Sequence, residues 1–148
     1  MEGEITMLQK KIINPESTWN PQNAGFSHLQ PFSQGLTVSA DGVTFVFLAG
    51  QVSLDREGNV VGKNDPALQT RKTLENMKAL LDEAGATFKD VVRLTVFLKD
   101  MSQIAEVQKV RAEFFPHNPP PSTTIEVSKF VNDDLLIEIE ATALISKK

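Results

Sequence analysis

The sequence predicts an α+β fold in which one mixed β-sheet carries two helices on one face. Segments rich in β-branched and aromatic residues alternate with two segments whose apolar residues recur at helical spacing. Strands and helices alternate only in part, and tight-turn signals require some neighbouring strands to run antiparallel. A length of 148 residues corresponds to one ordinary domain, so residues 1–148 are expected to form a single domain.

The N-terminal part of the chain is the least regular. Residues 1–30 are expected to form an irregular arm, partly outside the compact core, because Pro15 and Pro21 interrupt a run of polar residues. One short strand is predicted near residues 11–14. The lone Trp19 is interpreted as an anchor for this arm.

A β-hairpin follows the arm. Residues 35–39 and 43–49 favour strands, and Asp41 and Gly42 between them are a strong tight-turn signal.

The first helix has clear signals at both ends. Asp65 is suited to cap it, Pro66 to open it and Gly85 to end it in a left-handed conformation. Its apolar stripe consists of Leu74, Met77, Leu81 and Ala84.

The second helix is predicted from Ser102, as its cap, to about Phe115. Pro116 and the three prolines at 119–121 prevent it from continuing. Its buried face is expected to consist of Ile104, Val107, Val110 and Phe114.

Three more strands complete the expected sheet. Residues 91–98 form the first, with even-numbered residues on one face and odd-numbered residues on the other. Residues 122–131 and 135–145 are predicted to form a second hairpin around the turn at 132–134.

The face of the sheet without helices is expected to be half apolar. Leu136, Leu144 and Phe97 share it with Glu138 and Glu140. Such a surface is too apolar to remain wholly in water, so we expect a partner subunit to cover it.

Composition narrows the class of protein. Apolar residues make up 41% and charged residues 23%, as in ordinary globular chains, and there is no cysteine for a disulfide, a thiolate nucleophile or a zinc site. The net charge of -4 disfavours nucleic-acid binding. No apolar run approaches the ~20 residues of a membrane span, and the charged N-terminus is unlike a signal peptide, so we expect a cytoplasmic protein without a membrane partner.

Few side chains form a pattern typical of catalysis. Glu138 and Glu140 lie on one strand face about 6.7 Å apart. In one interpretation, the pair follows the ordinary alternation of polar and apolar residues on a strand with one solvated face. In the other, the pair includes a carboxylate whose burial raises its pKa and lets it transfer protons near neutrality. His28 and His117 have no metal-ligand spacing, so neither a metal nor a cofactor is expected.

Six stretches, in order from about residue 9 to residue 145, resemble the Rid family, also called the YjgF family, of reactive-intermediate (enamine/imine) deaminases. They are Pro31-Phe32-Ser33-Gln34-Gly35; Ala49-Gly50-Gln51-Val52; Gln69-Thr70-Arg71 with Leu74 and Asn76; Ala84-Gly85 with Asp90-Val91-Val92; Thr95-Val96-Phe97-Leu98-Lys99-Asp100; and Ile137-Glu138-Ile139-Glu140-Ala141. The resemblance implies a chorismate-mutase-like fold. It also implies a homotrimer with a central barrel and a small-molecule pocket between each pair of subunits.

The resemblance also implies site residues. Glu138 matches the glutamate that positions the hydrolytic water, so it is the candidate catalytic residue. The substrate-binding arginine of active deaminases is absent: Ser122 stands in its place, and the nearby Thr124 cannot replace it.

The other positions of the family pocket are less polar here. The pocket tyrosine corresponds to Phe32, and the serine before Gly50 corresponds to Ala49. The asparagine on the second helix corresponds to Gln108, a milder change.

These replacements predict an altered substrate preference. Without the arginine, a substrate carboxylate would meet only Glu138, so we expect a neutral or weakly anionic metabolite and poor turnover of 2-aminoacrylate. The function implied is hydrolysis of an imine to a carbonyl and ammonia. The alternative is a non-catalytic trimeric protein that binds a small metabolite. A ribonuclease, a label attached to some relatives, is disfavoured by the acidic balance.

Arg111 is the candidate for a cation that replaces the missing substrate-binding arginine from another position. It lies three residues after Gln108, on the same helix face, so it would border the same cleft. The other interpretation is a solvated arginine paired with Glu106 or Glu113. Arg93 is a second candidate, although it is more typical of a residue that stabilises the barrel.

Overall fold

A computed structural model of the chain describes residues 7–20 and 32–146. They form a six-stranded mixed sheet with two helices against one face, as the sequence predicts. The strands are β1 (Gln9–Ile13), β2 (Gly35–Ala40), β3 (Val43–Val52), β4 (Val91–Leu98), β5 (Ser122–Glu126) and β6 (Ile137–Ser146), and the helices are α1 (Pro66–Ala84) and α2 (Ile104–Phe114).

The strand order is β1-β2-β3-β6-β4-β5. All neighbours run antiparallel except β4 and β5, which are parallel and connected through α2. The predicted second hairpin is therefore wrong: β5 ends at Glu126, and β4 separates it from β6. The turn at 132–134 is local, whereas the choice of neighbour for β6 depends on the apolar faces of β3 and β4, which are distant in sequence.

The first hairpin is confirmed. Asp41 has φ 50° and Gly42 has φ 80°, the two positive values that a tight turn between twisted strands requires. The short N-terminal strand is also confirmed: β1 pairs with β2 along its whole length. Residues 21–31, including His28, lie outside the described residues.

The ends of α1 are as predicted. The Asp65 carboxylate accepts a hydrogen bond from the Leu68 backbone N–H at 2.8 Å, and Gly85 closes the helix at φ 75°. The predicted cap of α2 is wrong. Ser102 lies within a single 3₁₀ turn, Met101–Gln103, and its backbone N–H donates to Asp100, which is the cap of that turn.

One β-bulge changes the predicted faces of β4. Val91 pairs with Ala143 and Arg93 with Thr142, so Val92 is an extra residue in the ladder. Val91 is therefore buried and Val92 is 45% exposed, the reverse of the expected alternation. Leu94, Val96 and Leu98 lie in the core as expected, packed with α1 and the inner faces of β3 and β6.

The opposite face of the sheet carries no helix. Phe45, Phe47 and Leu144 are each about two-fifths exposed or more there, and the two phenylalanine rings stack 6.2 Å apart. The half-apolar open face is thus as the sequence predicts. In the described part of the chain, neither helix is long and apolar enough to span a membrane.

Candidate functional site

The predicted catalytic carboxylate lies in a cavity of about 410 Å³ at the edge of the open face. Its wall is formed by β3 and β6 together with the N-terminal arm, α1 and two loops. The lining residues are Trp19, Phe32, Gln34, Ala49, Gly50, Gln51, Val52, Leu54, Asn76, Val131 and Glu138. Of the predicted site residues, the structure brings Phe32, Ala49, Gly50 and Glu138 together here.

A second β-bulge places Glu138. Leu48 pairs with Ala141 and Gln51 with Ile139, so β3 has one more residue than β6 between these pairs. Gly50 is in this bulge and faces the Glu138 side chain so closely that a Cβ atom would overlap the carboxylate. Only glycine at position 50 leaves room for the observed position of the Glu138 carboxylate.

The environment of Glu138 favours its protonated form. Burial raises the pKa of the Glu138 carboxyl above its usual 4.5, and the negative charge of Glu140 raises it further. Glu138 is half buried, whereas Glu140 is exposed, as expected of a residue on a solvated face. Within the described chain the Glu138 carboxylate has no hydrogen-bond or ion-pair partner, which leaves it available to a ligand or water.

A buried amide network supports this cavity. The Gln51 amide donates to the Gln34 side chain at 2.8 Å, and Gln34 donates through its side chain to the Trp19 carbonyl at 3.2 Å. Asn76 of α1 donates to the carbonyls of Val52 and Leu54. These bonds attach the arm and the end of β3 to the helix layer, so the cavity wall is preorganised.

The remaining predicted site residues form a second group. Arg111 of α2 donates to the Gln108 side chain at 3.0 Å and to the Ser122 hydroxyl at 2.9 Å. Gln108 and Arg111 border a cavity of about 210 Å³ together with Ala112, Phe115 and the prolines at 119 and 120. The guanidinium therefore contacts Ser122, the residue that the family resemblance aligns with the substrate-binding arginine.

Arg111 is not a solvated surface residue. It is only 8% exposed, and its Nε has no hydrogen-bond partner among the residues that the structure describes. The alternative interpretation, pairing with Glu106 or Glu113, is wrong: among the described residues Arg111 forms an ion pair with neither, and Glu113 pairs with Arg71 at 2.7 Å. Burial lowers the pKa of the Arg111 guanidinium below its usual range. A buried cation without a carboxylate partner is destabilised, and a bound anion would compensate for that.

The two groups do not meet within one chain. Ser122 pairs with the core-facing Leu94, whereas Glu138 pairs with Phe97 on the open face. Ser122 and Glu138 therefore lie on opposite faces of the sheet, with backbones roughly 14 Å apart from the strand spacings. Thr124, which pairs with Val96, lies on the same face as Ser122.

Sequence reasoning missed several contributors to the Glu138 cavity. Trp19 lines it in addition to anchoring the arm, and Gln34, Gln51 and Asn76 hold its wall. For Gln34, Gln51 and Asn76 the one available signal was their place in the stretches that carry the family resemblance; Trp19 lies outside those stretches. His117 is exposed, and the residues described include no group of acidic residues and histidines that could hold a metal ion.

A third cavity, of about 460 Å³, lies on the open face between Arg93 and Glu140. Thr95 and Thr142 also line it, as does Phe47. It belongs to the surface that we expect a partner subunit to cover, which agrees with the assignment of Arg93 to the barrel rather than to the Glu138 cavity.

Comparison with known proteins identifies the family. Residues 23–145 match the family model described as Endoribonuclease L-PSP. A RutC family protein of Pyrococcus abyssi is 42% identical over 136 residues, which cover 92% of this chain and 98% of that protein.

Two solved structures share the fold. The Rid family protein YyfA of Yersinia pestis has a TM-score of 0.77 at 27% identity and covers 93% of this chain and 100% of its own. Escherichia coli TdcF, solved with bound serine, has a TM-score of 0.75 at 28% identity and covers 92% and 99%. The arrangement around Glu138 and these matches together show that the chain belongs to the Rid/YjgF family, the family of the L-PSP model.

Proposed function

We propose that the protein is a hydrolytic enamine/imine deaminase in which Glu138 activates water. The carboxylate accepts a proton from a water molecule as the water oxygen adds to the imine carbon. The same proton passes to the nitrogen, which gives a carbinolamine. Glu138 then accepts the proton of the new hydroxyl and delivers it to the amino nitrogen as the C=O bond forms and the C–N bond breaks, and a carbonyl compound and ammonia leave. The observation that carries this proposal is the half-buried, unpartnered Glu138 carboxylate with a raised pKa in a cavity of metabolite size.

We further propose that the working unit is a homotrimer in the cytoplasm. The exposed Phe45 and Phe47 on the open face support association through that face, and the family resemblance implies three subunits. In such an assembly the Arg111 and Ser122 group of one subunit would face the Glu138 cavity of the next. Light scattering should then give about three times the 16.3 kDa chain mass, and a stable monomer at micromolar concentration would refute the interface site.

The charge of the substrate follows from Arg111. Ser122 alone would leave a net negative site, suited to a neutral metabolite. The guanidinium bonded to the Ser122 hydroxyl supports a weakly anionic substrate as well, because it supplies a cation from α2 instead of from β5. TdcF was solved with bound serine, a small molecule that carries a carboxylate, which supports a ligand with a carboxylate here.

Non-catalytic binding of a metabolite is the second candidate. It is favoured by Phe32 and Ala49, which present no hydroxyl to orient a substrate in the Glu138 cavity. Without such groups, binding could persist while turnover is weak or absent.

Ammonia release separates the two candidates. The substrates are freshly generated 2-aminoacrylate and imines with larger neutral side chains, and the proteins are the wild type, Glu138→Gln and the matched control Glu140→Gln. We expect Glu138→Gln to lose about 10²–10⁴-fold in kcat/KM, the usual effect of removing a general base. Glu140 is exposed, so its variant should retain turnover at neutral pH. Absence of turnover with every imine would favour the binding protein.

A further inference from the structure

Trp19 has a defined place in the wall of the Glu138 cavity. It is half buried and lines the cavity together with Phe32, Val52 and Leu54. These four side chains are apolar over most of their surface and surround the single carboxylate at Glu138. A ligand with a polar reacting group at Glu138 would therefore place the rest of its structure against apolar walls.

The position of Trp19 is fixed by its surroundings. Thr18, which precedes it, is 3% exposed and donates through its hydroxyl to the Pro15 carbonyl at 3.1 Å. The Trp19 carbonyl accepts from Gln34. Across from the indole, Gly58 has φ 91°, and a Cβ there would lie 3.0 Å from both indole Cδ1 and Nε1. The indole thus occupies a place that Gly58 keeps open.

We propose that Trp19 is a specificity-determining residue that binds the apolar side chain of the substrate and favours imines with branched or aromatic side chains over small ones. This inference rests on the proposed function for the identity of the reacting group. The cavity of about 410 Å³ has room for such a side chain beside the group at Glu138. Its walls gain contact area as the side chain grows, whereas a methyl-sized side chain leaves them in water.

Binding of neutral primary amides tests the proposal without any turnover. Acetamide, isobutyramide and phenylacetamide keep a nitrogen-bearing carbon but differ in the size of the apolar group. Because the chain has one tryptophan and no tyrosine, intrinsic fluorescence reports on Trp19 alone. In the wild type we expect affinity to rise at least about tenfold from acetamide to phenylacetamide. Calorimetry on Trp19→Ala should show that rise reduced to less than about threefold, with acetamide binding unchanged.

Gly58→Ala and Gly85→Ala form a matched pair that leaves Trp19 itself in place. Both glycines have positive φ, so both variants are strained, but only the Cβ at position 58 meets the indole. Gly58→Ala should reduce the dependence on side-chain size, and Gly85→Ala should leave it intact. This pair keeps the proposal testable if Trp19→Ala fails to fold.

Equal affinity for all three amides in the wild type would overturn the inference, as would an unchanged rise in Trp19→Ala or in Gly58→Ala. The proposed function fails separately. A wild type that shows the rise but releases no ammonia from any imine would refute the deaminase and leave the role of Trp19 standing. Turnover that requires Glu138 but is independent of side-chain size, together with equal affinity for the three amides, would refute the role of Trp19 and leave the deaminase standing.

Discussion

Gly50→Ala tests whether the observed position of Glu138 is the working one. Position 50 lies in the β3 bulge, and a Cβ there would stand 2.6 Å from Glu138 Cδ and 2.9 Å from Cγ. The backbone of Gly50 lies outside the left-handed region, so alanine itself is not strained. The carboxylate must therefore leave its place, while the chain around it has no reason to rearrange.

Gly50→Ala is expected to change the free energy of unfolding only slightly but to lower kcat/KM strongly. Moving the end of a flexible, half-buried side chain costs little, and replacing glycine by alanine at a compatible position contributes about 0.4–1 kcal/mol through the unfolded state. The net change in the free energy of unfolding should be within about 1 kcal/mol, or about 2–4 °C in Tm for a chain of this size. Loss of a positioned general base should lower kcat/KM about 10²–10⁴-fold.

Gly35→Ala is the matched control. Its new Cβ would lie 3.0 Å from Leu48 Cδ2 and 3.2 Å from the Phe47 carbonyl oxygen. Leu48 is buried, and the carbonyl belongs to the backbone of β3, so neither can swing away. We expect a loss of about 1–3 kcal/mol in stability, as for other overpacked cores. Turnover per folded molecule should be retained, because Gly35 does not line the Glu138 cavity.

Ammonia release and thermal unfolding, measured on the same preparations, give both quantities. The reasoning is refuted if Gly50→Ala keeps the wild-type kcat/KM with an unchanged Tm, because the carboxylate would then act equally well from another position. A loss of stability in Gly50→Ala as large as in Gly35→Ala would show instead that Glu138 is held rigidly.

Two further predictions concern charge. Arg111→Ala should weaken binding of keto acids, measured calorimetrically, by about 1.5–3 kcal/mol, the usual contribution of a charged hydrogen bond. The exposed Arg71→Ala is the control, and unchanged affinity in Arg111→Ala removes it from the site. Because burial and then Glu140 raise the pKa of Glu138, its contribution to stability is complete below 4.5 and is lost as pH rises through the raised value. Glu138→Gln should therefore have a higher Tm than the wild type at pH 7, and the difference should vanish toward pH 4.5. In profiles of kcat/KM against pH, Glu140→Gln should move the loss of activity on the acid side to lower pH, because the pKa of Glu138 falls without the charge of Glu140. An unchanged profile would show that Glu138 does not control this loss of activity.

Features determined by neighbouring residues could be predicted from the sequence. Asp41 and Gly42 specify the hairpin turn, and Asp65 and Gly85 specify the ends of α1, since each acts on backbone groups within a few residues. The spacing of Arg111 and Gln108 likewise predicted that they share one helix face, and their side chains are hydrogen-bonded.

Features that depend on distant residues needed the tertiary structure. The neighbour of β6, the bulges at Val92 and Gly50, and the burial of Arg111 beside Ser122 each arise from packing between segments far apart in the chain. The alternation that identified Glu138 as a candidate could not place its carboxylate against Gly50. Strand order and register minimise the exposed apolar area of the whole sheet, and no local pattern contains that information.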